Sequence, residues 1–600
     1  MINKIILIIA TFLSTTLYAM TQKVAYSEDQ VDDWEYNSTI QEDFITKKSK
    51  NMPRLKSAGM PSPVIMSAAP VMSESLGFAV GGAKDANNFY ENIKNNYLPK
   101  VDSITYEGLF YDHYFETGEK RECLQLFCPS YSGAVVNNLY TGEKEFYLSV
   151  GLDSNIEKKD FKRKKLNIVV VLDISGSMGA KFNQYYYDKG KKISLEEEDL
   201  QDNKMQIANQ SIVNMINHLG NDDRLGVVLF DSSAYLAKPL REINKTNIKA
   251  TKKHILELRE RGGTNWSAGY KKGIELFDSL DDNLKNPLIY ENRIIFLTDA
   301  MPNRGELNKE GLFNLAKKAS DENIYTSFIG IGVDFNNDLI EYITKTRGAN
   351  YYAIHSAKEF KKRLDKEFDF MVTPLIFDLN LEFQSDGYEI VAVYGSPEAN
   401  LATKTIMKVN TLFPSNSQEG EVKGGVILLK LKKISDSKKL DLKLSYETRE
   451  SKIYKIRQEI NFKDGIYYDH NGIRKAILLS QFGDLMKNWI IDMRKSCNDS
   501  VNYPPLHFHD LKPICTQYPP NRDDFKSIKT FERKSCPLEV SDGYRKIFSV
   551  FENHYEKESK ILGDKSLLKE QKILEKLINT TTTRTSKKVV DDWQLDKRDR

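Results

Sequence analysis

The sequence predicts an α/β fold, a doubly wound and mostly parallel sheet with a flanking β-rich domain and a C-terminal helical region. Three observations carry this. Between residues 164 and 372, apolar runs of strand length alternate with segments of helical period. From Pro374 the period becomes two, with Leu375, Phe377, Leu379, Leu381 and Phe383 alternating with polar or smaller residues. Beyond residue 470, Leu478, Phe482, Leu485 and Trp489 fall on one face of a long amphipathic pattern.

Composition sets the outer limits. A chain of 600 residues, 40% hydrophobic and 11% aromatic, can build more than one packed core. With 87 basic against 84 acidic residues the formal charge is +3, so nothing in the balance points to a nucleic-acid partner.

In chain order, residues 1–19 read as a signal peptide. Lys4 precedes an apolar run over residues 5–13, and Leu17-Tyr18-Ala19 suits cleavage after Ala19. The run is too short to span a bilayer, and no other stretch reads as a transmembrane helix, so an exported, soluble protein is expected. Residues 20–82 are polar, then rich in Pro, Met, Ser and Ala, and read as a disordered linker. Within them the tetrapeptide VDDW, residues 31–34, recurs at residues 590–593. Either the recurrence is chance, or both copies dock on one kind of surface with Trp34 and Trp593 as anchors. Residues 83–163 form a β-rich N-terminal region, opened by a helical pattern of Phe89, Ile93 and Tyr97 that Pro99 ends. His113 within it reads as a packing residue.

Residues 164–372 are the α/β domain proper. An insertion near its start, KFNQYYYDKGKKISLEEEDLQD, leaves from the carboxyl end of the first strand. Tyr185, Tyr186 and Tyr187 in it offer rigid contact area for a partner. The acidic run at residues 196–199 reads as a solvated lead-in to a helix, with a second cation site as the alternative. Residues 373–460 form a β-sandwich-like domain, and residues 461–545 a helix followed by a Cys-containing loop region. There His507, His509 and Asp510 lack a third ligand at a recognised zinc spacing. Residues 546–600 are a helical stretch and a flexible tail. Five cysteines leave an odd one out; Cys123 and Cys128 are close enough to bridge locally, and any two of Cys497, Cys515 and Cys536 can pair. Six Asn-x-Ser/Thr sequons are present; a glycan at Asn265 would crowd the loop of its neighbour Thr264, so none is expected there.

The residues that carry chemistry lie where strands end. The run 166–172 is apolar, β-branched and strand-like, and Asp173, Ser175 and Ser177 follow at alternate positions in a loop. One carboxylate and two hydroxyls can there converge on a point suited to a hard divalent cation. Thr264 sits in the Gly-rich loop RGGTNWSAG, and Asp299 follows a second buried strand. Open parallel sheets gather their sites at such strand ends. Two carboxylates at 4 Å would repel by about 4 kcal/mol at an effective dielectric of 20, a difficulty that a cation removes. An ion-free polar turn is the alternative.

In this order and on these elements, Asp173-x-Ser175-x-Ser177, Thr264 and Asp299 resemble the metal-ion-dependent adhesion site of a von Willebrand factor type A domain. The resemblance implies that Ser175, Ser177 and Thr264 ligate Mg²⁺ (or Mn²⁺), with Asp173 and Asp299 binding directly or through water. It also implies an open coordination position for an Asp or Glu of a protein partner. The β region after residue 373 is similar, in order and pattern, to the one that accompanies type A domains in exported stand-alone proteins and in inter-alpha-trypsin-inhibitor heavy chains. The function expected is therefore secreted adhesion, without catalytic residues. The alternatives are a structural or self-associating surface protein in which the ion only stabilises the domain, and a metal-dependent hydrolase. The chain lacks Gly-x-Ser-x-Gly, His-Glu-x-x-His and a phosphate-binding Gly-rich loop of the Walker type.

Overall fold

The computed structural model describes residues 30–37, 75–84, 86–118, 124–186, 203–355, 367–396, 399–400, 406–437, 439–499 and 535–580. At its centre lies the strand Lys165–Asp173, buried throughout after its first residue. Alternate side chains feed two cores, as the period of a strand requires. Leu166, Ile168, Val170 and Leu172 meet Met205, Ile212 and Ile255 of the helices Lys204–Ile216 and Ile248–Glu257. Val169 and Val171 join a second core with Trp266, Leu312 and Leu339 of the helices Trp266–Glu275, Lys309–Asp321 and Asn337–Ile343. Both faces being covered explains why the strand is an unbroken apolar run.

The sheet runs Gly82–Ala83, Asn350–Ile354, Ile324–Ile331, Tyr290–Thr298, Lys165–Asp173, Arg224–Phe230 and Ala234–Glu242. Its neighbours are parallel, except that Ala234–Glu242 returns antiparallel along Arg224–Phe230. Asp173 stands opposite Phe230, and Leu172 opposite Leu297, so the three central strands end level with one another.

The β-sandwich differs from its sequence outline. One of its sheets places Ser75–Val80 between Ile406–Ser415 and Asp153–Glu157. The other places Lys144–Gly151 between Val426–Lys433 and Ser130–Asn137. Phe78, Leu148 and Val150 share a core with Leu379, Leu381, Leu429 and Leu442. Residues 75–163 and 373–468 thus contribute strands to the same two sheets, and the α/β domain is inserted between them. The strands Ser75–Val80 and Gly82–Ala83 begin within the stretch expected to be linker. Their partners lie from about 80 to more than 300 residues away, and local composition carries no trace of them.

A helical layer closes the molecule. Asn471–Asp499, Asp542–Leu562 and Leu568–Asn579 pack with Asn87–Lys94 and Tyr106–Tyr111 around Phe89, Leu109, Phe482, Trp489 and Phe548. His113 is a packing residue there: its ring bridges Ser566 Oγ (2.7 Å) and Glu570 Oε1 (3.3 Å). Cys128 and Cys536 each take part in a disulfide. Among the described residues no helix is long and apolar enough to cross a membrane. The signal segment, the 196–199 acidic run, His507, His509, Asp510 and the second VDDW lie outside the described residues.

Candidate functional site

Four strands of the central sheet deliver an aspartate at or just beyond their carboxyl ends: Asp173, Asp231, Asp299 and Asp334. Asp173 and Asp299 are fully buried, and Ser175, Ser177 and Thr264 are at most 7% exposed. The loop after Lys165–Asp173 is folded by its own side chains. Asp173 Oδ1 accepts the Ser175 N–H at 2.8 Å, and the hydroxyls of Ser175 and Ser177 lie 3.0 Å apart. Asp173 Oδ2 accepts from Thr298 Oγ1 at 2.7 Å, which ties it to the strand that carries Asp299.

Thr264 is brought in by backbone stitching. Gly176 N–H donates to Gly262 O at 3.1 Å and Arg261 N–H to Ile174 O at 2.6 Å, so its loop lies along the Ser175 loop. On its other side, Thr264 N–H donates to Asn303 Oδ1 at 2.8 Å, while Thr264 O accepts the N–H groups of Asn303 and Arg304. Gly262 has φ of 70°, and a Cβ there would come within 3.0 Å of Asp231 Oδ2, so the turn requires glycine. Ala300, directly after Asp299, holds φ of 55°. That left-handed conformation costs a residue with a Cβ roughly 1–2 kcal/mol, the kind of strain that collects at functional sites.

Lys204, missed in the sequence, completes the cluster. Its fully buried ammonium lies 3.0 Å from Asp299 Oδ2 and 2.6 Å from Asp334 Oδ1. Burial alone would lower its pKa, but the two carboxylates outweigh this and hold it above the ordinary value. Burial pushes the Asp173 carboxyl up to about 7, with the charge of Asp299 adding to it and hydrogen bonds from Ser175 and Thr298 opposing. Asp334 is raised by burial as well. With Asp173, Asp299 and Asp334 ionised, their three negative charges against one ammonium leave −2, the charge that a divalent cation cancels. Asp299 Oδ1 is buried and has no hydrogen-bond partner among the described residues, which leaves it as a candidate ligand atom. Hydroxyl and carboxylate oxygens are the donors that Mg²⁺ prefers, and the residues present fit such an ion.

Signals for the missed residues were present. Asn203 and Gln206 form a capping box that starts a helix and sets Lys204 in its first turn. Asp334 follows the strand Ile324–Ile331, where the strand-end rule looks for ligands.

The tyrosines differ from the exposed rim expected of them. Tyr185 is 4% exposed, its ring 4.9 Å from that of Tyr97 and its hydroxyl donating to Asn92 Oδ1 at 2.8 Å. Its partners come from the helix Asn87–Lys94 and the turn just after it, which sequence order does not bring near. Tyr186 is half-buried and gives its N–H to Asp334 Oδ2 at 2.9 Å. Tyr187 lies outside the described residues.

Residues 167–366 match the family model of the von Willebrand factor type A domain. The chain is 23% identical to human inter-alpha-trypsin inhibitor heavy chain H4 over 226 residues, which are 38% of this chain and 22% of that protein. Heavy chain H1 of Sus scrofa is 22% identical over 224 residues, 37% of this chain and 22% of the relative. The chain thus spans about a fifth of the length of the curated relatives it matches. Among solved structures, a von Willebrand factor type A protein from Catenulispora acidiphila aligns with 14% identity and a TM-score of 0.36, covering 61% of this chain and 81% of that one. From the family match and the doubly wound sheet together, this chain carries a von Willebrand factor type A domain.

Proposed function

We propose that the protein is an exported, non-catalytic adhesion protein whose type A domain holds Mg²⁺ (or Mn²⁺) and, through it, an Asp or Glu of a protein partner. The observation that carries this reading is the buried cluster of Asp173, Ser175, Ser177, Thr264 and Asp299, with Asp299 Oδ1 left without a hydrogen bond among the described residues. When bound, the ion supplies a coordination position for an incoming carboxylate. The chain's own residues do the rest. Ser175, Ser177 and Thr264 offer hydroxyl oxygens, Thr298 fixes the Asp173 carboxylate, and Lys204 balances Asp299 and Asp334. Export after cleavage near Ala19 belongs to the same reading and puts the site where surface partners are met.

A pull-down from surface and extracellular fractions of the source organism tests it, run with Mg²⁺, with a chelator, and with Asp173→Ala. A partner retained by the wild type in Mg²⁺, and lost in the other two arms, is the expected result. Equal recovery in all three would reduce the site to a structural role.

A further inference from the structure

The first VDDW segment is seated on the type A domain. Val31 forms a parallel bridge with Thr246, giving its N–H to Lys245 O at 3.2 Å and accepting that of Asn247 at 2.9 Å. Glu35 N–H donates to Ala237 O at 2.8 Å on the edge strand Ala234–Glu242. Between these backbone anchors, Asp33 Oδ2 lies 3.2 Å from Lys238 Nζ and 3.0 Å from Arg241 Nε. Asp32 Oδ2 lies 3.0 Å from His254 Nε2. The Trp34 indole stacks on that imidazole, with centroids 5.2 Å apart and planes 14° apart. Tyr36 rests against Tyr235.

Each of these features is available a second time. Residues 590–593 repeat Val, Asp, Asp and Trp in order, and Leu595 stands where Tyr36 stands after the first copy. Two of the four tryptophans of the chain lie in these tetrapeptides. The groove also demands such a ligand. Lys238 is fully buried; it donates to Leu225 O and Pro239 O, and its ion-pair partner among the described residues is Asp33. With the segment in place the ammonium is buried against the Asp33 carboxylate, so a segment that takes its place under the same cover must carry a carboxylate at that point.

We propose that the groove between the strand Ala234–Glu242 and the helix Ile248–Glu257 is an exchange site, in which residues 590–595 of this chain displace residues 31–36. Supplied by a second copy, the segment makes a head-to-tail contact, the arrangement that builds rings or filaments. It requires no metal and stands apart from the adhesive reading.

Two measurements on the full chain test this. A labelled peptide of residues 586–597 is titrated with wild-type chain and with Trp34→Ala, whose own segment is weakened as a competitor. Binding to both is expected, several-fold tighter to Trp34→Ala, and about tenfold or more weaker for the peptide carrying Trp593→Ala. In sedimentation, docking between copies makes the average mass rise with concentration, more steeply for Trp34→Ala and not for Trp593→Ala, whereas docking of a chain's own tail keeps the single-chain mass. A peptide that binds neither chain overturns the proposal, and so does a peptide whose Trp593→Ala form binds as tightly as its parent.

Discussion

Lys204 decides how the candidate site is balanced. A buried carboxylate pair repels, and the ammonium between Asp299 and Asp334 offsets part of that repulsion before any ion arrives. Glu107 shows what burial does without such a partner. Its side chain is buried in the helix Tyr106–Tyr111, its Oε1 lacks a hydrogen bond among the described residues, and burial, with Glu341 adding, pushes its pKa up to about 8. The folded protein therefore holds this proton more tightly than the unfolded chain. Its contribution to stability is full below the unfolded value near 4.5, falls as pH rises, and is gone above about 8. Glu107→Gln is expected to flatten that decline, by up to about 1.4 kcal/mol per pH unit. Denaturant unfolding at pH 5, 7 and 9 checks it; equal slopes in both proteins would show the carboxyl to be ionised when folded. At this scale the sequence was most legible where ligands sit close together in the chain. Asp173, Ser175 and Ser177 fall at alternate positions after one strand, whereas Lys204 enters across an insertion and Asp334 from a different strand.

The insertion itself is closed at its stem. Lys181 bridges Asn203, and Lys204 N–H donates to Ala180 O at 2.9 Å, so the helix Lys204–Ile216 starts beside the loop that bears Ser177. The Asn203 side chain caps that helix by accepting the Gln206 N–H at 2.8 Å. Asn203→Ala is expected to cost about 1 kcal/mol in denaturant unfolding of the type A domain. No loss would mean that the ion pairs of Lys204 alone fix the start of the helix. Elements with a strong local period were legible, the central strand and the helix Asn471–Asp499 above all. The helix Asp542–Leu562 offered the same kind of signal in Tyr544, Phe548, Phe551 and Tyr555, with Ser541 as its cap. Its start falls short of residue 546, where the helical stretch was drawn. The short strand Ser75–Val80 had no such signal, since a strand is defined by its neighbours as much as by itself.

In the whole molecule the type A domain is held at both ends by one sandwich. Ion pairs fix the junction: Arg449 Nη2 lies 2.5 Å from Glu291 Oε2, and Arg347 reaches both Asp378 and Glu447 at 2.8 Å. If Ser75–Val80 is a working member of that sandwich, Phe78→Ala should destabilise it by about 3–5 kcal/mol. Thermal unfolding would then show the sandwich transition lowered, whereas an unchanged melt would return the segment to the status of a linker. The nested arrangement also sets an order of events during synthesis. Strands Ser75–Val80 and Lys144–Gly151 leave the ribosome well over 200 residues before their partners Ile406–Ser415 and Val426–Lys433. The type A domain, whose major strands are consecutive in the chain, can fold in the interval. Until then those early strands keep unpaired edges, open to pairing with a neighbouring chain. The protein is thus completed from the inside outwards, and its period of greatest aggregation risk ends only once synthesis has passed the first two thirds of the chain.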